Sequence, residues 1–312
     1  MRGETVVITG GNGFVGRHLI SELRKETPDT EVIVWDRSVE GMPDYVKGVK
    51  IDITDPESYR ESLQAGQPAW IVHLAAVPSA ALASQNEEYA WRVNVEGTRQ
   101  LLEEVKQISP DTCVLVASSA DIYGGQENNN PLVELSLEQA RPRNTYAQTK
   151  WEMEKIIERD FNDRVLRVRP FPHIGPGQSL GFVTADFASQ IAAIERGKQK
   201  PVLKVGNLEA KRDFTDVRDV VCAYRLLMER GVCGEVYNVA SGEAVSIQHI
   251  LDKLLKLSEV EITVEQDEKL MRPSDMPVMV GDATKLKKAA AWRPTIFLDK
   301  SLKDILDYWR SL

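Results

Sequence analysis

The 312 residues suggest about two domains. Hydrophobic residues at 42% and charged residues at 28% allow an ordinary core and exclude a disordered chain. With 47 acidic against 39 basic residues the net charge is -8, which argues against a nucleic-acid binder, whose partner calls for a basic face.

In chain order, residues 5–9 form a short β-branched run directly followed by a glycine cluster, as in a buried parallel strand. A helix is expected over 14–25, a second strand over 31–35 ending at Asp36, and a third over 49–53. Asp55 before Pro56 reads as a helix N-cap with proline at the first helical position. Strands over 70–74 and 112–117 flank a long helical stretch over 87–107, and a helix over 145–161 leads to a sixth strand over 165–168. This alternation predicts a doubly wound parallel α/β sheet.

After Arg169 the texture changes, because Pro170, Pro172, Gly175, Pro176 and Gly177 break regular structure. The later run 235–239 suits a strand that returns to the main sheet. The expected organisation is one domain over 1–170, with 213–240 returning to it, and a smaller interleaved domain from 171–212 and 241–312. Cys113, Cys222 and Cys233 are too few for a disulfide scaffold and lack metal-ligand spacing. They read as buried thiols of a cytoplasmic protein, and no metal is expected. The longest uncharged stretch, 62–86, carries Pro68, His73 and Pro78 and makes a poor membrane span. The N-terminal residues have no basic region followed by an apolar one, so no signal peptide is expected.

The first chemical signal is Thr9-Gly10-Gly11-Asn12-Gly13-Phe14-Val15-Gly16, between the first strand and the first helix. Gly10 and Gly13 permit a tight turn and let backbone N–H groups approach a pyrophosphate, while Gly16 permits close helix–strand packing. The helix N-terminus, with Phe14 and Val15, adds partial positive charge. Asp36 lies 20 residues beyond Gly16, where a carboxylate hydrogen-bonds ribose hydroxyls. The pattern predicts a Rossmann-type dinucleotide site. Asp36 would repel a 2′-phosphate and favours NAD(H), whereas Arg37 would attract it, so NADP(H) stays open. Asp52 is placed to receive the adenine amino group, with the backbone of Ile53 beside it; a strand-end cap is the plainer alternative. Leu74, Ala75 and Ala76 offer small side chains against the cofactor, and His73 reads as structural.

The second signal is Tyr146-Ala147-Gln148-Thr149-Lys150. On a helix Tyr146 and Lys150 share a face. A neighbouring ammonium and an oxidised nicotinamide would lower the phenol pKa and make Tyr146 an acid/base near neutrality. Lys150 is also placed to hold the nicotinamide ribose. Ser118-Ser119 ends the preceding strand, where a hydroxyl can bind the same substrate oxygen.

Together the glycine loop, Asp36, the His73-Leu74-Ala75-Ala76 run, Asn94 within Val93-Asn94-Val95-Glu96-Gly97-Thr98, Ser119 and Tyr146/Lys150 resemble the extended short-chain dehydrogenase/reductase family. The resemblance implies cofactor binding at Asn94 and catalysis by Ser119, four residues before Tyr123-Gly124. Residues 169–178 and 206–219 resemble the branch of GDP-mannose 4,6-dehydratases and GDP-6-deoxy-D-mannose reductases, and the segment from Arg272 to Asp282 is most similar to the reductases. Pro172 stands where that branch has an asparagine expected on the sugar diphosphate. Proline offers no amide and no N–H there, which leaves Arg212 and Arg272 as phosphate clamps, or each as a surface ion pair.

The resemblance implies reduction of the C4 ketone of a GDP-4-keto-6-deoxy-mannose by NAD(P)H. The product is GDP-D-rhamnose or its C4 epimer, the 6-deoxy-taloside. A 4,6-dehydratase or an epimerase is the alternative, and Asp121 supplies the acid/base position that dehydration needs. A non-catalytic dinucleotide-binding regulator would not need Ser119, Tyr146 and Lys150 together. The resemblance also implies a homodimer through helices near 87–107 and 145–161, although Leu101, Leu102, Ile156 and Ile157 read as packing on the sheet.

Overall fold

The computed structural model describes residues 3–124, 130–271 and 276–312. Strands β1 (Thr5–Thr9), β2 (Glu31–Asp36), β3 (Lys47–Lys50), β4 (Trp70–His73), β5 (Cys113–Ala117) and β6 (Val165–Pro170) form most of the main sheet. Short strands β7 (His173–Ile174), β8 (Val202–Val205), β9 (Lys211–Asp213) and β10 (Thr215–Asp216) follow, and β11 (Val236–Val239) returns to that sheet. Its order is β11-β6-β5-β4-β1-β2-β3, and every neighbour pair is parallel. The order reverses between β1 and β4, and a doubly wound sheet opens its ligand crevice at the carboxyl ends beside such a switch.

Alternate residues of each strand serve opposite faces. Val6, Ile8, Val72 and Leu166 pack with Leu19, Leu23 and Val220, from helices α1 (Phe14–Glu26) and, further along, Val217–Arg230. Val7, Ile33, Ile71 and Val114 pack on the other face with Leu63 of α2 (Glu57–Gly66) and with the helices that follow. These are α3 (Ala80–Gln85), α4 (Glu87–Trp91), α5 (Thr98–Ile108) and α6 (Thr145–Asp160). A third cluster brings together α7 (Val183–Glu195), α9 (Ile247–Lys256) and α11 (Leu298–Ser311), through Ile191, Leu251, Leu254 and Leu302, while α8 is Val217–Arg230 and α10 is Thr284–Ala290.

Three local differences from the sequence reading have physical causes. The third strand is 47–50 rather than 49–53, because the Asp52 carboxylate accepts from Thr54 N and Oγ1 at 2.9 and 2.8 Å and turns the chain out of the sheet. The expected long helix is interrupted by a π-helical turn over Arg92–Gly97 between α4 and α5. Such turns frequently mark functional sites. The cysteines are half-buried rather than buried, and the Cys113 and Cys233 thiols share a hydrogen bond.

The Asp55 carboxylate accepts from Glu57 N at 3.2 Å, with Pro56 helical at the start of α2, as the Asp-Pro pair suggested. Leu101, Leu102, Ile156 and Ile157 are all consumed in the core under the sheet. Among the described residues no helix is long and apolar enough to cross a membrane, and no cluster of three His, Cys, Asp or Glu side chains suits a metal ion.

Candidate active site

A cleft of about 980 Å³ runs along the carboxyl ends of the strands. At one end lies the glycine loop. Gly10 has φ +67°, and its N–H donates to Trp35 O at 2.8 Å. A Cβ on Gly10 would sit 2.8 Å from Ala75 N, and one on Gly16 would sit 2.5 Å from Gly11 Cα. Both positions therefore require glycine for close approach. No side chain caps the N-terminus of α1, so its first-turn N–H groups stay available where Phe14, Val15 and Gly16 line the cleft.

Asp36 lines the same end, and its carboxylate accepts from Asn12 N at 3.0 Å and Ser38 N at 3.2 Å. Arg37 donates to the Tyr89 hydroxyl at 2.6 Å. Asp52 and Ile53 line the cleft too, and backbone hydrogen bonding at Thr54 holds the Asp52 pKa below the usual carboxylate range. Two polar atoms of the wall, Asn12 Oδ1 and Ser118 Oγ, are buried with no hydrogen-bond partner among the described residues. A long polar ligand would satisfy them, so the glycine cradle and these orphan atoms fit a dinucleotide.

Ser119, Tyr146 and Lys150 meet in the middle of the cleft. Ser119 lies two residues beyond β5 and caps the short turn Ala120–Tyr123, its Oγ accepting from Asp121 N at 3.1 Å. Asn144 caps α6 by accepting from Ala147 N at 2.9 Å, which fixes the turn carrying Tyr146 and Lys150. Ser119 lies beside Tyr146 and acts to lower the pKa of its phenol. Lys150 donates to Ala117 O at 2.8 Å, and burial pulls its pKa down to about 8 against the pull of Glu154. Glu154 is itself buried in a two-pronged pair with Arg169, at 2.9 and 2.8 Å.

The protein surroundings of Tyr146 raise its pKa: burial dominates, the Asp121 charge adds to it, and only Ser119 opposes, so the lowering expected at this phenol falls to the nicotinamide and not to Lys150. The Asp121 pKa is raised as well, by burial, with Arg212 working against the shift. Both side chains are therefore biased toward their protonated forms.

Residues 6–240 match the NAD dependent epimerase/dehydratase family. The chain belongs to that family. It is 34% identical, over 99% of its length and 98% of the relative's, to the GDP-6-deoxy-D-mannose reductase of Pseudomonas aeruginosa. It is 31% identical to the GDP-6-deoxy-D-talose 4-dehydrogenase of Aggregatibacter actinomycetemcomitans, over 90% of this chain and 89% of that one. Among solved structures it superposes on RMD from Pseudomonas aeruginosa complexed with NADPH, with a TM-score of 0.87, 32% identity and 99% of each chain covered. A Thermus thermophilus UDP-glucose 4-epimerase in complex with NAD gives a TM-score of 0.85 at 25% identity, covering 98% of this chain and 99% of that one.

Within this family member, two suggested site residues lie elsewhere than the cleft wall. Asn94 sits in the π-helical turn behind the wall, its amide taken up by Val77 N at 2.7 Å, Val77 O at 3.3 Å and Thr149 Oγ1 at 3.0 Å. It positions the wall rather than touching the cleft. Arg212 is half-buried, donates to Lys211 O and Met276 O at 2.8 and 2.9 Å, and acts electrostatically on the cleft residue Asp121 from behind the residues that line the cleft. Arg272 lies outside the described residues. Pro172 does line the cleft, and its carbonyl accepts from Thr215 N at 3.0 Å.

The cleft also recruits residues that the sequence reading left out. His173 stacks parallel to Phe14 at 6.2 Å, and Gln178 donates to His173 O at 3.0 Å. Both fall inside the 169–178 segment, which was the available signal. Tyr224 of α8 lines the cleft fully buried. It carried no signal, because an aromatic residue in an amphipathic helix reads as core.

Proposed function

We propose that this chain reduces the C4 ketone of GDP-4-keto-6-deoxy-D-mannose, giving GDP-D-rhamnose or GDP-6-deoxy-D-talose. The single observation that carries the reading is the meeting of Ser119, Tyr146 and Lys150 on one stretch of the cleft wall, with Lys150 one turn on from Tyr146, set in a chain that matches GDP-6-deoxy-sugar enzymes along nearly its whole length. When bound, the reduced dinucleotide, NADH or NADPH, supplies the hydride. Gly10, Gly13, Gly16, Asp36 and the 74–76 run are the residues that would hold it.

Tyr146 delivers its phenolic proton to the C4 oxygen. Its raised pKa keeps that proton in place until charge develops. Ser119 Oγ donates to the same oxygen and steadies the developing alkoxide. Lys150 orients the ribose and offsets the tyrosinate left behind.

A stoichiometric fall in absorbance at 340 nm with this sugar and NADH or NADPH is the expected result, and NMR of the product reads the C4 configuration. No oxidation of either dinucleotide would sink the reading. A second reading, 4,6-dehydration of GDP-D-mannose, is favoured by one observation: Asp121 is biased toward its acid form beside Tyr146. It predicts a 4-keto product with no net dinucleotide consumption.

We read residues 171–212 and 241–312 as the sugar-binding part, with 213–240 returning to the dinucleotide-binding part of 1–170. The return of β11 to the main sheet and the separate apolar cluster around α7, α9 and α11 support this division. A homodimer through the outer faces of α5 and α6 is part of the proposal. Those faces are polar, carrying ion pairs such as Arg99–Glu103 and Lys155–Glu152. Equilibrium sedimentation at 35.0 kDa alone would reject it. The reading places the protein in the cytoplasm, consistent with three unpaired thiols.

A further inference from the structure

His73 is buried at 3% exposure and touches neither the solvent nor the cleft, yet both ring nitrogens are engaged. Nδ1 lies 2.8 Å from Thr9 Oγ1 and Nε2 lies 2.9 Å from Thr98 Oγ1. Hydrogen-bond accounting fixes the direction of every bond. Thr9 Oγ1 accepts from Ala75 N at 3.2 Å and shares the Leu74 N–H, also at 3.2 Å, with Thr9 O at 3.1 Å, so its own hydrogen goes to Nδ1. Thr98 Oγ1 gives its hydrogen to Asn94 O at 2.8 Å, so it accepts from Nε2–H. The ring is therefore the neutral Nε2–H tautomer, and a second ring proton would have no acceptor. Burial, reinforced by the Lys150 charge, holds its pKa down to about 3, in agreement.

This chain of bonds has two functional ends. At one end, Thr9 grips the amides of Leu74 and Ala75, the part of the wall that faces the closely approaching Gly10. At the other end, Thr98 grips the π-helical turn. From that turn the Asn94 amide holds Val77 and Thr149, whose hydroxyl donates to Tyr146 O at 2.7 Å. We propose that His73 is a positioning residue that couples the dinucleotide wall at 74–77 to the helix carrying Tyr146 and Lys150, so that the cofactor and the proton donor are set by one buried, neutral link. The proposal rests on the reading that the cleft takes a dinucleotide, and it is independent of which sugar is reduced.

The test uses Thr98→Val, which is nearly isosteric and lies outside the cleft, with Thr98→Ser as the conservative rescue. Dissociation constants for NADPH and NADH are read by quenching of tryptophan fluorescence, alongside kcat, the sugar KM and the thermal midpoint. Thr98→Val is expected to weaken dinucleotide binding about fivefold and to lower kcat by a similar factor, leaving the sugar KM within about twofold. Thr98→Ser restores both. His73→Leu gives at least the same loss, and adding Thr98→Val to it costs nothing more.

A Thr98→Val variant that moves only the thermal midpoint, with affinity and kcat as in the parent, overturns the proposal. Additive losses in the double variant overturn it too. If His73→Leu does not fold, the Thr98 pair decides alone. Dinucleotide binding needs no sugar, so failure here is distinct from failure of the substrate reading.

Discussion

Two motif-bearing regions of this chain use their side chains in opposite ways. In the first, from the glycine loop to α6, Gly10, Asp36, Ser119, Tyr146 and Lys150 all face the cleft. In the second, over 206–219, the three aspartates turn inward and hold the architecture together. Asp213 accepts from Ser241 N and Oγ, Gly242 N and Gly281 N at 2.6 to 3.1 Å. Asp216 caps α8 and pairs with Arg218, and Asp219 accepts from Thr295 and Ile296 across the chain. Both regions carry equally recognisable sequence, yet one lines the cleft and the other closes the fold. A motif names a shared structure, and only burial and partners say which of these it is.

The comparison can be broken first at Tyr146. Tyr146→Phe should cut turnover by about 10²–10⁴-fold while the thermal midpoint and dinucleotide affinity stay near the parent values. Retention of more than a tenth of the rate would move the proton donor elsewhere. The mirror experiment is Asp213→Ala, which leaves four donors unmet, that of Gly281 fully buried. It should destabilise the fold by about 3 kcal/mol in urea unfolding, and an unchanged midpoint would contradict a structural role.

Gly10→Ala combines an unfavourable backbone conformation with a clash against Ala75. A cost of about 1–3 kcal/mol, expressed mainly in dinucleotide affinity, is expected from titration. Full-strength binding would show that the loop yields.

Lys150 gives a pH signature. Its ammonium is lost through about pH 8 in the folded protein, against 10.5 ordinarily. The rate kcat/KM should therefore fall as pH rises through about 8. Between those two values the unfolded chain holds the proton and the folded chain does not, so this group's contribution to stability increases with pH across that window. A profile flat to pH 10 would separate Lys150 from turnover.

The smallest effect sharpens the comparison from the substrate side. Asp121→Asn should alter ketone reduction by less than about tenfold, since the reductase needs no second acid. A loss beyond about a hundredfold, with dehydration of GDP-D-mannose abolished, would favour the dehydratase reading.

Local pattern was enough for much of this protein. The β-branched runs, the glycine spacing and the Tyr146/Lys150 turn lie in short windows, and each is fixed by backbone geometry over a few residues. They gave the parallel sheet, the return of β11 and the line of residues along the cleft. Where the place of a side chain was not legible, the deciding contact was distant in sequence. Asn94 lies behind the wall because Val77 and Thr149 claim its amide, 17 and 55 residues away. Arg212 turns to Met276 O, 64 residues away.

The sign of the Tyr146 shift depended on how deeply packing buries the phenol and on Asp121 beside it. No spacing rule encodes desolvation. The sequence by itself determined the elements and the kinds of chemistry they carry, because propensity and hydrogen-bond geometry are local. Tertiary structure alone decided which polar groups reach the cleft, which are spent inside and what protonation they hold, because burial and electrostatics sum over the whole fold.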